Sequence, residues 1–309
     1  AYAITNIVLP KDQRPRMVAW LDSARLIPSL LAPAIGGYIV DYLNWHWVFI
    51  AQLPFVLIAG ILLYPRLKPL NKTPAPGSQD SRRAIGRALR IAGGAGLFVT
   101  VIAQPVNWFW LILLPLSVAL VWRPFLKVMP PGFATARVGL AAAVMLHFWL
   151  FYAFYAAELF MPLIMIEFRG LSSSVTGLAF TSCAITWVAA SFFQAWLYTR
   201  VSLFYSLFLG MWITTLSVAA AASLLLPHVP YWVVYPAWAV AGVGMGISFN
   251  TVVSATMDYT REGEEGATST ANGIAGSLAI GLAAGVGGAI IIHGEQAGVG
   301  FAFSLSLVW

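Results

Sequence analysis

The sequence has very little charge, and this excludes a water-soluble globular protein. Only 9% of its 309 residues are Asp, Glu, Lys or Arg, whereas a soluble domain carries about 25%. The composition is 60% hydrophobic, and the apolar residues come in blocks of about 20, the length that crosses about 30 Å of hydrocarbon as a helix. We therefore expect an all-α polytopic membrane protein.

The sequence also has little cysteine and lacks the common sequence motifs of metal binding and catalysis. Cys183 is the single cysteine and lies in an apolar block, so no disulfide framework is predicted. The sequence has no phosphate-binding loop and no nucleophile elbow, so we predict no cofactor, no nucleic-acid partner and no enzymatic activity. The four histidines have no paired spacing and predict no metal site: His46, His147, His228 and His293.

Nine full membrane spans are predicted, with the stubs of two more at residues 1–8 and 298–309, so that both ends of the chain fall within membrane helices. Gln104, Pro105 and Asn107 divide one long apolar stretch, because a single helix there would reach about 50 Å. The predicted spans are 17–40, 46–64, 91–106, 108–126, 138–166, 173–199, 203–226, 229–256 and 266–293.

The loop charges test this count. When the loops are numbered alternately, the two sets differ strongly in their numbers of Lys and Arg residues. One set contains a single basic residue, Arg169. Membrane proteins keep Lys and Arg in cytoplasmic loops, so the other set is predicted to be cytoplasmic, with the protein in the inner (plasma) membrane. That basic set consists of Lys11, Arg14, Arg16, Arg66, Lys68, Lys72, Arg82, Arg83, Arg87, Arg90, Arg123, Lys127, Arg137, Arg200 and Arg261.

Residues 66–90 form the one long hydrophilic segment. Its first part is rich in Pro, Gly and Ser, as in a linker, and its second part is a basic run that leads into a helix. The basic run is consistent with binding of anionic lipids. It is equally what an ordinary topology-setting cytoplasmic loop looks like, and we favour this simpler interpretation.

Several stretches resemble one family of transporters. The sequence APAIGG at residues 32–37 resembles the end of the antiporter motif in the fifth helix of major facilitator drug exporters. Three further stretches are similar to the EmrB/QacA type, the fourteen-helix drug:proton antiporters: WHWVFIAQLPF (45–55), RGLSSSVTGLAF (169–180) and EEGATSTANGIAGSLAIGLAAGVGGAI (264–290). The resemblance extends over nearly the whole chain.

The resemblance implies a major facilitator fold with a definite organisation. Residues 1–65 would be the rest of the N-terminal six-helix half, comprising the end of helix 4 with helices 5 and 6. Residues 66–90 would be a basic cytoplasmic linker, and residues 91–126 a helix pair inserted between the halves. Residues 138–309 would be the C-terminal half, from helix 9 to a partial helix 14.

The same resemblance implies export of small lipophilic or cationic compounds in exchange for protons, by alternating access in a monomeric transport unit surrounded by membrane lipids. Two alternatives remain open. One is a permease of the same fold for another small solute. The other is a membrane-embedded lipid-modifying enzyme, which is disfavoured because most of the predicted cytoplasmic loops are too short to hold a polar catalytic cluster.

The antiporter motif is only partly present. Its first three glycines, in the pattern G-x8-G-x3-G-P-x2-G-G, fall on Ala19, Pro28 and Ala32 in this chain. Two of these residues are small, so close helix packing is preserved, and Pro28 adds a kink signal. The resemblance assigns motif and gating roles to Pro28, Ala32, Pro33, Gly36 and Gly37.

Charged residues within membrane spans are the candidates for proton coupling, because each costs at least about 2.5–3.5 kcal/mol to insert. Asp22 and Arg25 are three residues apart and share a helix face. They could couple protons or form a static ion pair, and the ion pair is slightly favoured. Glu158 has no cation within a helical turn, so it could take up a proton or bind a cation, or it could hydrogen-bond a neighbouring helix.

The helix that carries Glu158 is rich in aromatic residues. Aromatic surfaces suit large lipophilic cations through stacking and cation–π attraction, although rings also fill grooves that face lipid. His147 lies on the same stripe as Glu158, about 16 Å away along the helix. We predict that the substrate cavity is lined by His147, Phe151, Phe154 and Tyr155, and by Asn250 from a small, polar stripe of another span.

Overall fold

The computed structural model describes residues 32–67, 78–105, 107–198, 200–261 and 263–308, and these residues form helices joined by turns. The helices are α1 (32–42), α2 (Trp45–Ile50), α3 (Leu53–Leu67), α4 (Ser78–Ala103), α5 (Trp108–Val128), α6 (Leu140–Pro162), α7 (Ser173–Tyr198), α8 (Leu203–Ala222), α9 (Val234–Asp258), α10 (Glu265–Gln296) and α11 (Phe301–Val308).

Eight helical stretches within the described residues are long and apolar enough to cross a membrane. They correspond one to one with the last eight predicted spans. Of the ninth, 17–40, only the part from residue 32 onward is described, and it belongs to α1. The stub predicted at 298–309 contains α11, and the stub at residues 1–8 lies outside the described residues.

The predicted break in the long apolar stretch is confirmed. Helix α4 ends at Ala103, and α5 begins at Trp108 with Asn107 as its N-cap. The Asn107 side-chain oxygen accepts hydrogen bonds from the backbone N–H groups of Phe109 and Trp110, at 3.0 and 3.2 Å. A short polar side chain therefore starts the second helix of the pair.

The start of α4 differs from the sequence prediction. The sequence indicated a helix from residue 91, whereas α4 begins at Ser78 and includes the basic run. Residues 78–90 contain no proline and are mostly Ala, Leu, Arg and other residues compatible with a helix, so the apolar span extends backward without interruption. The arginines of this run therefore lie on a helix surface.

Helix α9 is at the centre of the C-terminal part of the chain, packed between α7 and α8 and also against α6. Glycines allow these helices to approach closely. A side chain at Gly242 or Gly246 would collide with the α7 backbone, and one at Gly210 or Gly244 would collide across the contact between α8 and α9. The small residues predicted on α9 thus serve helix packing at these positions.

Helix α10 packs against α6, α4 and α11, and it thereby connects the α4–α5 pair to the other described helices. Of its glycines, Gly276 lies against His147 of α6 and Gly285 against Val99 of α4. Among the described residues, however, no atom lies within 4 Å of a Cβ placed at Gly273, Gly281 or Gly288.

The alternate loops lie at two opposite ends of the helices, which we call the basic face and the Arg169 face. Arg169 is the one basic loop residue of its face, and it has a structural role. Its guanidinium donates hydrogen bonds to the backbone carbonyls of Pro227 (3.1 Å) and Val229 in the turn between α8 and α9. Its charge therefore anchors a loop.

Candidate functional site

Glu158 is an acidic residue in the interior of a described membrane span. It lies on α6, ten residues before the end of the apolar stretch at Phe168, which corresponds to about 15 Å of helix. Its Oε2 atom is buried and has no hydrogen-bond partner among the described residues. A buried carboxyl oxygen without a donor is a costly arrangement, and it keeps Glu158 a candidate for a functional residue.

The backbone around Glu158 is also irregular. Pro162 lies four residues further on and has no N–H group, so it cannot donate the usual helical hydrogen bond to the Glu158 carbonyl. The chain then continues as a π-helical segment, Leu163–Phe168. Such segments are rare in proteins and are frequent at functional sites.

Aromatic rings extend from α6 to α7 and α9. Phe151 stacks on His147 with ring centroids 4.4 Å apart, and it lies 5.4 Å from Phe249 of α9. Trp187 of α7 lies 5.9 Å from Phe249 and 5.6 Å from Phe154. We call these five rings, His147, Phe151, Phe154, Trp187 and Phe249, the aromatic cluster.

The predicted cavity residues have different environments. Phe154 is only 1% exposed and packs against the rings of Trp187 and Trp238, so it belongs to the core. His147 is 6% exposed, and its Nδ1 atom is buried without a hydrogen-bond partner in the described chain. Phe151, Tyr155 and Asn250 are half-buried. The lining of a substrate cavity by these residues therefore stays a prediction.

Sequence reasoning did not select Trp187 and Phe249, the two rings contributed by other helices. On α9 the sequence prediction selected Asn250, whereas the residue whose ring contacts Phe151 and Trp187 is its neighbour Phe249. Trp187 had no signal of its own, because a tryptophan in an apolar helix also suits a surface that faces lipid.

The antiporter-motif residues lie where α1 meets α7. A side chain at Gly37 would collide with the backbone of Ser173, and one at Gly177 would collide with the backbone of Pro33. Of the other motif residues, Ala32 is exposed, and no described atom lies within 4 Å of a Cβ placed at Gly36. Three predicted residues lie outside the described residues: Asp22, Arg25 and Pro28.

Asp41, which the sequence did not single out, completes this contact at the Arg169 face. Its two carboxylate oxygens accept hydrogen bonds from the backbone N–H groups of Ser173 (2.9 Å) and Ser174 (2.7 Å), and from the Ser174 hydroxyl (2.5 Å). These N–H groups begin α7, where a helix dipole favours a negative charge. The hydroxyl of Ser174, above all, holds the pKa of Asp41 below its usual range.

Together, Pro33, Gly37 and Asp41 on α1 and Ser173, Ser174 and Gly177 on α7 form a tight contact that we call the α1–α7 joint. It connects the part of the chain before the α4–α5 pair with the part after it. The rings of the aromatic cluster come from α6, α7 and α9, and Glu158 lies on α6.

Comparison with known proteins identifies the family. The sequence profile of the Major Facilitator Superfamily matches residues 1–284. Proteins that carry the name multidrug resistance protein MdtD match shorter stretches. The protein from Pectobacterium atrosepticum is 35% identical over 54 residues, which are 18% of this chain and 12% of that protein.

The relative of the same name from Yersinia pestis is 34% identical over 64 residues, which are 20% of this chain and 14% of the relative. The matched stretches are thus a small part of these relatives. The profile match, by contrast, covers far more than half of the chain, and the described helices include eight of spanning length. The protein is therefore a multi-pass membrane protein that belongs to the major facilitator superfamily of transporters.

Proposed function

We propose that the protein is a secondary active transporter that exports small lipophilic or cationic compounds in exchange for protons. The observation that carries the proposal is Glu158, a carboxyl group in the interior of a membrane span with a buried oxygen that has no hydrogen-bond partner among the described residues. A static structural carboxyl would have its oxygens satisfied, as those of Asp41 are.

In this mechanism Glu158 alternates between a neutral and a charged form. When its site opens to the side of higher proton concentration, the carboxylate takes up a proton and can be buried without an ionic cost. When the site opens to the other side, the proton leaves, and the negative charge can hold a cationic substrate or be solvated. Exchange follows because the proton and the substrate use the same acid in turn.

Alternating access requires the two parts of the chain to separate at one membrane face at a time. The α1–α7 joint is closed at the Arg169 face, and its contacts are backbone-to-backbone approaches and hydrogen bonds that can break and re-form. We infer that the joint opens when the transporter releases substrate on that side. On this proposal the basic face is cytoplasmic and the Arg169 face is outside.

The substrate class is supported by the aromatic cluster and by the names of the relatives. Phe151, Trp187 and Phe249 come from three different helices, and Glu158 lies on the same helix as Phe151. Rings together with a single acid suit a lipophilic cation through stacking and charge. The relatives that match are named for multidrug resistance.

The experiment is transport in inverted membrane vesicles that contain the full-length protein, with ethidium as a fluorescent lipophilic cation. Acidification of the vesicle interior should drive ethidium uptake, and a protonophore should abolish it. Uptake that continues after the proton gradient has collapsed would contradict exchange for protons, and would favour a permease of the same fold.

A further inference from the structure

Two side chains that each have a buried, unpaired polar atom lie on one face of α6, about 16 Å apart along the helix. His147 and Glu158 are eleven residues apart, which is close to three helical turns, and α6 is an α-helix throughout this stretch. Neither Nδ1 of His147 nor Oε2 of Glu158 has a hydrogen-bond partner among the described residues. One face of α6 therefore carries an unpaired polar atom at each end of this stretch.

His147 lies among apolar neighbours from three helices. Its ring stacks on Phe151 of the same helix, with centroids 4.4 Å apart, and the ring of Phe249 on α9 lies 5.7 Å away. On α10, Gly276 leaves room for the histidine, because a Cβ at this glycine would lie 3.1 Å from Nε2. The imidazole is thus held between aromatic rings and a glycine, and its Nδ1 stays unpaired.

A histidine in this environment is costly if its role is only to fill space. A buried donor or acceptor without a partner loses its hydrogen bonds to water and gains none in return. A phenylalanine ring would fill a similar space and would bury no polar atom. The presence of His147 is therefore explained by a polar partner that the described part of the chain does not supply.

Aromatic rings lie between the two polar residues. On α6, Phe151 and Tyr155 are both half-buried, with ring centroids 5.4 Å apart, and Phe249 of α9 lies 5.4 Å from Phe151. Such rings bind the apolar part of a ligand through burial and stacking. We call His147, Phe151, Tyr155 and Glu158 the α6 strip. It is apolar in its middle and has one polar residue at each end.

We propose that the α6 strip binds an elongated cation that carries a hydroxyl or amide group about 16 Å from its charge. The charge lies at Glu158, the apolar body packs against the rings, and the hydroxyl or amide pairs with Nδ1 of His147. A neutral imidazole has one donor and one acceptor nitrogen, and a hydroxyl or amide group can pair with either. The inference rests on the proposed function, because it takes Glu158 as the residue that holds the cation, and it adds the polar end of the substrate.

The test is equilibrium binding to the full-length protein in lipid nanodiscs, without a proton gradient and with empty nanodiscs as the background. The plain probe is tritiated dodecyl-trimethylammonium, and the hydroxyl probe is the same compound with a hydroxyl at the far end of its chain. The wild type should bind the hydroxyl probe about fivefold to tenfold more tightly, because the probe supplies the missing hydrogen bond. The same pair of compounds with a hexyl chain should show no such preference, since the shorter chain cannot reach both ends of the α6 strip.

His147→Phe keeps a ring and removes the polar atom, so the ratio of the two affinities should fall to about one. His147→Asn is the second variant, because its amide retains a hydrogen-bonding group close to the helix, and it should keep part of the preference. The matched control is His293→Phe on α10, which removes a histidine that already has a partner, the backbone carbonyl of Ile102 at 2.7 Å. This control should keep the wild-type ratio.

Glu158→Gln tests the other end of the strip separately. It should weaken the binding of both dodecyl probes and leave the ratio between them unchanged. Unchanged affinity for both probes in this variant would overturn the placement of the cation, and with it the role of the acid in the proposed function. The contact with His147 is overturned by a different result: equal binding of both dodecyl probes to the wild type, a hydroxyl preference that persists in His147→Phe, or the same preference with the hexyl pair.

Discussion

Asp41 and Glu158 are two carboxylates in the same protein with opposite environments. Asp41 lies at the membrane edge, and both of its oxygens accept hydrogen bonds from the first residues of α7. Glu158 lies within a membrane span, and one of its oxygens is buried with no partner among the described residues. The contrast separates a carboxylate that holds two helices together from one that is available to exchange a proton.

The largest expected effect is on transport, and it follows from replacing Glu158, the acid with the unpaired carboxyl oxygen. Glu158→Gln keeps the shape of the side chain and removes its titration, so ethidium uptake driven by a proton gradient into inverted vesicles should fall to background. Glu167→Gln is the matched control, because Glu167 is an exposed acid in the π-helical segment that follows. If Glu158→Gln transports ethidium as well as Glu167→Gln does, Glu158 does not exchange the proton, and its contrast with Asp41 has no functional meaning.

The next effect concerns the helix contact on which Asp41 depends. Gly37→Ala places a methyl group against the backbone of Ser173, and such overpacking should destabilise the protein by about 1–3 kcal/mol. Gly36→Ala is the adjacent control, where a methyl group has open space and should stabilise the helix by about 0.5–1 kcal/mol. Thermal unfolding in detergent should therefore shift in opposite directions for the two variants.

A similar destabilisation by both alanine variants would show that α1 does not pack against α7 as described. An intermediate result has its own meaning. If Gly37→Ala leaves thermal unfolding unchanged but slows transport, the methyl group is tolerated in the open state and blocks closure.

A smaller effect is expected at Asp41 itself. Asp41→Ala leaves the first N–H groups of α7 without their acceptor, which is typically worth about 1 kcal/mol and should shift the joint about fivefold towards the open state. Spin labels at Leu43 and Leu178, which are both exposed, should report the longer distance by pulsed electron resonance. Ser174→Ala removes one of the three hydrogen bonds and should shift the joint less.

An unchanged distance distribution in Asp41→Ala would mean that the carboxylate contributes nothing to closure. Asp41→Asn provides a graded comparison, since the amide keeps one oxygen that can accept a hydrogen bond from α7.

The last prediction concerns pH: the distance between the two spin labels across the α1–α7 joint should not depend on pH near neutrality. The pKa of Asp41 is lowered in the folded protein, mainly by the Ser174 hydroxyl. A lowered pKa stabilises the contact above the usual pKa of an aspartate, and this contribution is lost only as the pH falls through the lowered value. The distance between the labels should thus be constant from about pH 8 to about pH 5. A change within that range would assign the proton-sensitive role to Asp41.

Much of the fold could be predicted because the membrane imposes a length and a polarity on each span. The eight described spans follow from blocks of apolar residues. The break before Asn107 follows from the length that a single helix would have and from the polar residues and proline at its centre. The start of α4 at Ser78 was missed, because a helix can extend beyond the membrane wherever its residues permit. The π-helical segment after Pro162 was also missed, since sequence patterns report helix periodicity and not its local variants.

The candidate site was only partly predictable. Glu158 was evident because an acid in an apolar block is costly wherever the helix packs. Asp41 was not, because its partners lie 132 and 133 residues away and only the packing of α1 on α7 brings them together. The aromatic residues of α6 were predicted as a group, but which rings meet depends on helix rotation, and this buried Phe154 in the core.

The central claim is that Glu158 is the acid that releases a proton when substrate binds. The most direct measurement is the pH change of a weakly buffered solution of the full-length purified protein on addition of ethidium. The wild type and Glu167→Gln should release protons, and Glu158→Gln should release none. Full proton release from Glu158→Gln would contradict the account.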